Sequence, residues 1–107
     1  MNLPKVIADL VKAQENRDSA AFVDCFTETA RVFDEEKTHT GKEEIKAWME
    51  KTTGEYNMVM NPIGFEGDKE AGVFITEVSG TFPGSPIVFK YNLEFDGDFI
   101  RSLEITT

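Results

Sequence analysis

The chain is poor in the residues that build redox, metal and nucleic-acid chemistry. Of its 107 residues one is cysteine, one histidine and one tryptophan. A lone Cys25 forms no internal disulfide and cannot begin a cysteine-based metal site, so an oxidising compartment is not required. A lone His39 without well-spaced partners is equally poor metal-binding material. Basic residues are also scarce, with 11 Lys and Arg against 20 Asp and Glu and a net charge of −9. Nothing in that balance could neutralise a run of phosphates, which argues against nucleic acid and, on the same ground, against an anionic membrane. No window approaches a membrane span, and residues 1–7 lack the basic stretch and long apolar core of a secretory signal. The expectation is a cytoplasmic chain. No glycine-rich phosphate loop opens a helix after a strand, and there is no Gly-x-Ser-x-Gly elbow or Ser-His-Asp arrangement. Neither a cofactor nor a metal is expected.

Phenylalanine is what the chain has in quantity, nine against one Trp and two Tyr. That load fits a thick core or a greasy cavity. The length supports one domain over residues 1–107, and no repeat, linker or low-complexity stretch divides it. Leu3, Val6, Ile7, Leu10 and Val11 recur at helical spacing and predict a helix from about residue 3 to residue 16. Asp18 is a plausible N-cap for a short second helix burying Phe22, Val23 and Phe26. Ala30-Arg-Val-Phe33 reads as a strand that runs into a carboxylate, Asp34. Thr40-Gly-Lys-Glu43 has the form of a capping box and opens a third helix with Ile45, Trp48 and Met49 on its buried face. Gly54 is placed to end it.

From residue 55 the hydrophobic period changes to two. Four strand segments are expected, roughly 55–65, 71–82, 86–96 and 99–106. They are divided by Gly67-Asp68, Pro83-Gly84-Ser85 and Asp96-Gly97-Asp98, which is turn chemistry. The clearest alternation sets Ile87, Phe89, Tyr91, Leu93 and Phe95 against Val88, Lys90, Asn92 and Glu94. Helices followed by an antiparallel meander mean α+β, with three N-terminal helices packed in a curved, mainly antiparallel sheet. Such a sheet wrapped over helices forms a cone with a mouth, and the strand ending in Asp34 places an acid there.

Three stretches carry a family resemblance: Phe26-Thr-Glu-Thr-Ala-Arg-Val-Phe-Asp34, His39-Thr40-Gly41, and Phe95-Asp-Gly-Asp-Phe-Ile-Arg-Ser-Leu-Glu104. With the order helix, helix, strand, helix and four strands, they make nearly the whole chain resemble the nuclear transport factor 2-like superfamily. That group includes SnoaL-like polyketide cyclases and ketosteroid isomerases, and it implies a cystatin-like roll. It specifies the reaction poorly, because one cone serves unrelated chemistries and plain binding. In the ketosteroid isomerase branch a general-base Asp follows the corresponding strand, and Asp34 falls on it. The branch's oxyanion donors are a first-helix Tyr and a late-strand protonated Asp. Here those positions are Leu10, which cannot donate, and Tyr91, which can. Steroid isomerisation is therefore not implied.

Asp34 is the best catalytic candidate, since a carboxylate in an apolar cone has its pKa raised and can shuttle a proton; the plainer alternative is a solvated turn acid. His39 either faces the mouth or steadies the strand–helix junction. Tyr91 is either a ligand hydrogen-bond donor or a core aromatic bonded to a carbonyl. Phe33, Trp48, Tyr56, Met58, Met60, Phe89 and Leu93 are candidates to line a pocket, although an apolar stripe is more often core. Cys25 reads as an inert small apolar residue. Together these features point to a SnoaL-like binder of an apolar or aromatic small molecule, with isomerase-, cyclase- or hydratase-type acid–base chemistry through Asp34 as its reaction. A non-catalytic ligand-binding module and an association module on the same fold are the alternatives. A homodimer through the outer sheet face is expected, because helices cover only one face.

Overall fold

The computed structural model describes residues 3–107. Its elements are α1 (Lys5–Glu15), α2 (Ser19–Val23), β1 (Phe26–Asp34), β2 (Lys37–Thr40), α3 (Gly41–Tyr56), β3 (Val59–Gly67), β4 (Ala71–Ser79), β5 (Ile87–Asp96) and β6 (Phe99–Thr106). The strands form one sheet in the order β2-β1-β6-β5-β4-β3. All neighbours pair antiparallel except β1 and β6, which run parallel. The α+β cone with a mainly antiparallel sheet is what the sequence leads one to expect. Register shifts at Phe26/Arg31, Pro62/Gly64 and Glu94/Phe95 bend the strands, and such bulges increase twist.

The alternation on β4 and β5 holds residue by residue. Phe74, Thr76 and Val78 face inward on β4, while Tyr91, Leu93 and Phe95 do so on β5. Against this concave face lie Ile7, Leu10 and Val11 of α1 and Ile45 and Met49 of α3, all buried. Polar contacts tie the helices to one another. The Gln14 side-chain amide donates to Thr53 Oγ1 at 2.8 Å, and Ser19 Oγ donates to Glu50 Oε2 at 2.7 Å.

Four local expectations are corrected. Phe26 is not on the second helix; α2 closes at Val23 and Phe26 opens β1, where it pairs with Ile100. The Phe22-to-Phe26 spacing mimics a helical pair, and the rings do meet, with centroids 5.5 Å apart. The strand before Asp34 is longer than expected, and β2 was not anticipated at all, because its residues Lys37-Thr-His-Thr40 form an edge with no apolar signal. The capping box does not close: the Thr40 side chain makes no cap hydrogen bond, and the Thr40 backbone N–H donates to Glu44 Oε1 at 2.9 Å rather than to Glu43.

Gly54 does not end α3. The helix continues to Tyr56 and stops at Asn57, which takes the left-handed conformation at φ 48° and ψ 48°. An exposed glycine inside a helix sacrifices backbone entropy, and a Cβ at Gly54 would meet nothing within 4 Å. Gly54→Ala should therefore stabilise the fold by about 0.5–1 kcal/mol. Urea denaturation would show this as a raised midpoint with unchanged slope.

Candidate functional site

Period two decides which β1 side chains see the interior. Val32 points in and is fully buried, Phe33 points out, and Asp34 points in again. The chain then reverses through Glu35 and Glu36, both at positive φ (52° and 64°), and pairs Lys37 back against Asp34. This is the two-residue hairpin geometry that suits the twist of strands, although it favours Asn and Gly over Glu. Left-handed conformation costs roughly 1–2 kcal/mol for an ordinary residue. Strain of that kind persists where surrounding structure holds it, and here it lies beside an inward carboxylate.

Asp34 opens onto a cavity of about 270 Å³. Its wall is drawn from every layer: Gln14 of α1, Phe22 of α2, Trp48 and Tyr56 of α3, Phe89 and Tyr91 of β5. The Trp48 indole N–H donates to Asp34 Oδ2 at 3.2 Å. Trp48 is in turn placed by Phe22, with ring centroids 6.2 Å apart, and by His39 at 5.8 Å. Burial raises the Asp34 carboxyl above its ordinary value, and the charge of Glu35 adds to this. The Trp48 hydrogen bond, the Glu35 backbone N–H and His39 oppose it without reversing it. Tyr91 is 3 % exposed and meets Phe74 edge to face, with centroids 5.8 Å apart. Burial first, and then the neighbouring Asp34 charge, hold its phenol well above the usual tyrosine value of 10.0. It is a neutral donor.

The mouth is formed by residues 80–86, between β4 and β5, clamped to the end of α3. The Thr81 N–H donates to the Tyr56 carbonyl at 2.7 Å, and the Gly80 N–H donates to Ser85 Oγ at 2.9 Å. A Cβ at Gly80 would collide with that same Tyr56 carbonyl, so only glycine permits the approach. The clamp brings Phe82 edge-on to Tyr56, with centroids 5.8 Å apart.

Of the residues singled out from the sequence, Asp34, Trp48, Tyr56, Met58, Phe89 and Tyr91 converge on this cavity. Phe33 does not line it; one residue from Asp34, it lies on the outer face, 39 % exposed. His39 packs against the Trp48 ring and is absent from the wall. Leu93 and Met60 are buried in the core instead. Leu10 is likewise core, and α1 reaches the cavity one turn later through Gln14. Gln14 was missed, although an amide in the Ile7, Leu10, Val11, Gln14 stripe is itself a signal, since polar residues are seldom placed inside without purpose. Glu35, Phe22 and Phe82 were missed because a loop and a second-helix face give no periodic clue.

Among the described residues no group of three His, Cys, Asp or Glu side chains is placed to hold a metal. Burial pushes the Cys25 thiol up to about 11, and its Sγ lies 3.7 Å from the Ala21 carbonyl, which leaves it unreactive. A larger groove of about 770 Å³ lies between α1 and the β5–β6 turn, but it is open and its charges are mixed, with Lys5 already paired to Asp9 at 2.8 Å. The aromatic-lined cavity beside Asp34 is the better candidate.

The Asp34 shift has a consequence for stability. A carboxyl that holds its proton more tightly when folded lends stability below its ordinary value near 3.8, and loses it as pH rises to the raised folded value. Above that value the ionised, half-buried group is a net liability. Asp34→Asn keeps an acceptor for Trp48 and removes the charge, so the variant should be more stable than the parent at neutral pH. That advantage should disappear near pH 3, as paired urea titrations at the two pH values would show.

The fold has solved counterparts. A protein from Sinorhizobium meliloti, described as a candidate polyketide cyclase, superimposes with a TM-score of 0.93 at 29% identity, covering 97% of this chain and 95% of its own. A Catenulispora acidiphila protein with a ketosteroid isomerase-like fold, solved in complex with trimethylamine, gives a TM-score of 0.87 at 18% identity over 99% and 87%. These likenesses support an NTF2-like, SnoaL-like superfamily fold for the chain. A Novosphingobium aromaticivorans protein of cystatin fold also matches, with a TM-score of 0.81 at 15% identity over 100% and 99%. No protein-family model and no curated protein sequence matches it. No described helix is long and apolar enough to cross a membrane.

Proposed function

We propose that the cavity binds a compact, largely apolar or aromatic small molecule, and that Asp34 exchanges a proton with it in isomerase-, cyclase- or hydratase-type chemistry. The observation that carries this reading is a carboxylate with a raised pKa, oriented by an indole N–H, at an apolar cavity. Its pKa is shifted in the direction a general base needs to work near neutral pH. Tyr91, held neutral, and the Gln14 amide supply donors for charge developing on a substrate oxygen. The volume, about 270 Å³, is under twice the roughly 150 Å³ that accommodates a benzene, so a one- or two-ring ligand fits. The trimethylamine complex of the Catenulispora protein supports taking this fold as a container for small molecules.

Trp48, the sole tryptophan, stands in the cavity wall and reports occupancy by fluorescence. Titration with neutral one- and two-ring ketones and phenols should shift its emission. Carbon-detected NMR of the carboxylates tests the chemistry separately. An Asp34 that titrates at the ordinary value near 3.8 would leave a binding module without catalysis.

The same reading takes residues 1–107 as one SnoaL-like domain working in the cytoplasm as a homodimer. Support for the dimer comes from the outer sheet face, where Phe33, Val59, Ile63 and Val88 are 39%, 59%, 50% and 46% exposed. Two such faces pairing isologously would cover this surface. Light scattering should return twice the 12.0 kDa of one chain, and a monomer mass at micromolar concentration would reject the pairing.

A further inference from the structure

The charge pattern of the cavity narrows its ligand. Six aromatic side chains stand in the wall: Phe22, Trp48, Tyr56, Phe82, Phe89 and Tyr91. The charged side chains among them are Asp34 and Glu35, both acids, and the wall holds no Lys, Arg or His. Neither carboxylate takes part in a salt bridge among the described residues. Asp34 receives one side-chain hydrogen bond, from the neutral Trp48 indole, although a carboxylate can accept several. The sole imidazole, His39, packs on Trp48 and stays out of the wall.

A carboxylate drawn partly out of water with no cationic side chain in the cavity wall is electrostatically incomplete. A ring that turns its face to the cavity deepens the imbalance, since that face is the negative side of its quadrupole. A neutral guest leaves this unchanged, and an anionic guest worsens it. A guest with positive charge answers both features at once, by ion pairing to the acids and by cation–π contact with the rings. We propose that the cavity takes an organic cation, an ammonium group carried on an apolar body of about one ring. The proposal rests on the cavity being a ligand site and adds the charge of that ligand. The chain's net charge of −9 attracts the same class of molecule from solution.

The geometry also assigns the parts. Asp34, inward and anchored by Trp48, meets the ammonium inside the cavity. Glu35, exposed and held at the rim by the tight turn, draws it in. The groups that act on Asp34 in the free protein are Glu35, His39 and Trp48, with Tyr91 across the cavity responding to the Asp34 charge. A bound cation adds an opposing influence that favours the ionised carboxylate, so binding should release protons at a pH where Asp34 is partly protonated.

Three probes of similar size and different charge test this on the full chain: benzyltrimethylammonium, benzyl alcohol and benzoate. Trp48 fluorescence and calorimetry in two buffers of different ionisation enthalpy give affinity and proton count. The ammonium should bind at least about tenfold more tightly than the alcohol, with benzoate weakest. Proton release should accompany the ammonium alone. The ammonium-to-alcohol affinity ratio should fall several-fold in Asp34→Asn and also, by less, in Glu35→Gln, whose exposed position keeps folding out of question. Equal or tighter binding of the alcohol would overturn the cation while leaving the ligand cavity standing. An undiminished ratio in both variants would likewise overturn it. Failure of all three probes would remove the cavity reading and this inference together.

Discussion

Phe74→Ala should cost about 3–5 kcal/mol of folding stability, the usual range for deleting a buried aromatic ring. Phe74 is fully buried at the centre of the concave face and stands edge-on to Tyr91, with centroids 5.8 Å apart. Its β4 position is paired to Tyr91 in register, so both backbones are fixed and neighbouring strands cannot close the gap. The loss is a large share of the roughly 5–15 kcal/mol that holds a domain folded. The melting temperature should drop by roughly 12 °C or more. A second effect reaches the site. Without the Phe74 edge the Tyr91 ring gains freedom, water enters around it, and the phenol should titrate closer to its ordinary value of 10.0. Ultraviolet difference spectra on the cold, still-folded variant would report that change. A small loss of stability would mean that the core collapses around the missing ring, contrary to the fixed register of the sheet.

The sequence showed the fold wherever one face of an element is apolar and the other is not. Ile87 through Phe95 announce β5 because the strand has the core on one side and solvent on the other. The α1 stripe is legible for the same reason. What could not be read lacks that asymmetry. Lys37–Thr40 is an edge strand of exposed or half-exposed polar residues, recognisable only once its hydrogen bonds to β1 are seen. The parallel pairing of β1 with β6 joins the first strand to the last, and no local pattern encodes so distant a contact.

The site divides along the same line. Asp34, Trp48, Tyr56, Met58, Phe89 and Tyr91 could be named because each sits on an element with a readable inner face. Phe33 went astray by one residue, and on a strand one residue is the difference between interior and exterior. His39 had chemistry to recommend it but rides on the strand that had no signal. Gln14 is the opposite case: its helix was clear, and only its polarity on the buried face marked it out. The Glu35 carboxylate depends on a turn whose positive φ values have no sequence signature, since Glu is an uncommon occupant of that conformation.

Thr76→Val should raise stability by about 1–2 kcal/mol, within the range for relieving a buried group that lacks a hydrogen bond. Thr76 is fully buried, and its Oγ1 is the one buried side-chain polar atom without a partner among the described residues. It faces inward between Phe74 and Val78, on a strand position paired to Phe89 on one side and Pro62 on the other. Valine keeps the branched shape that suits a strand and replaces the hydroxyl with a methyl of nearly the same size. Leaving water is therefore no longer opposed by a lost hydrogen bond. Thr76→Ser supplies the contrast, because it keeps the hydroxyl, deletes the methyl and should destabilise. Urea denaturation of the three proteins should order their midpoints valine, threonine, serine, with slopes unchanged. Should valine fall below threonine, the hydroxyl has a partner worth more than the packing gained. Phe89, its neighbour across the ladder, stands in the cavity wall, so that result would make the site behind it the first place to look for that partner.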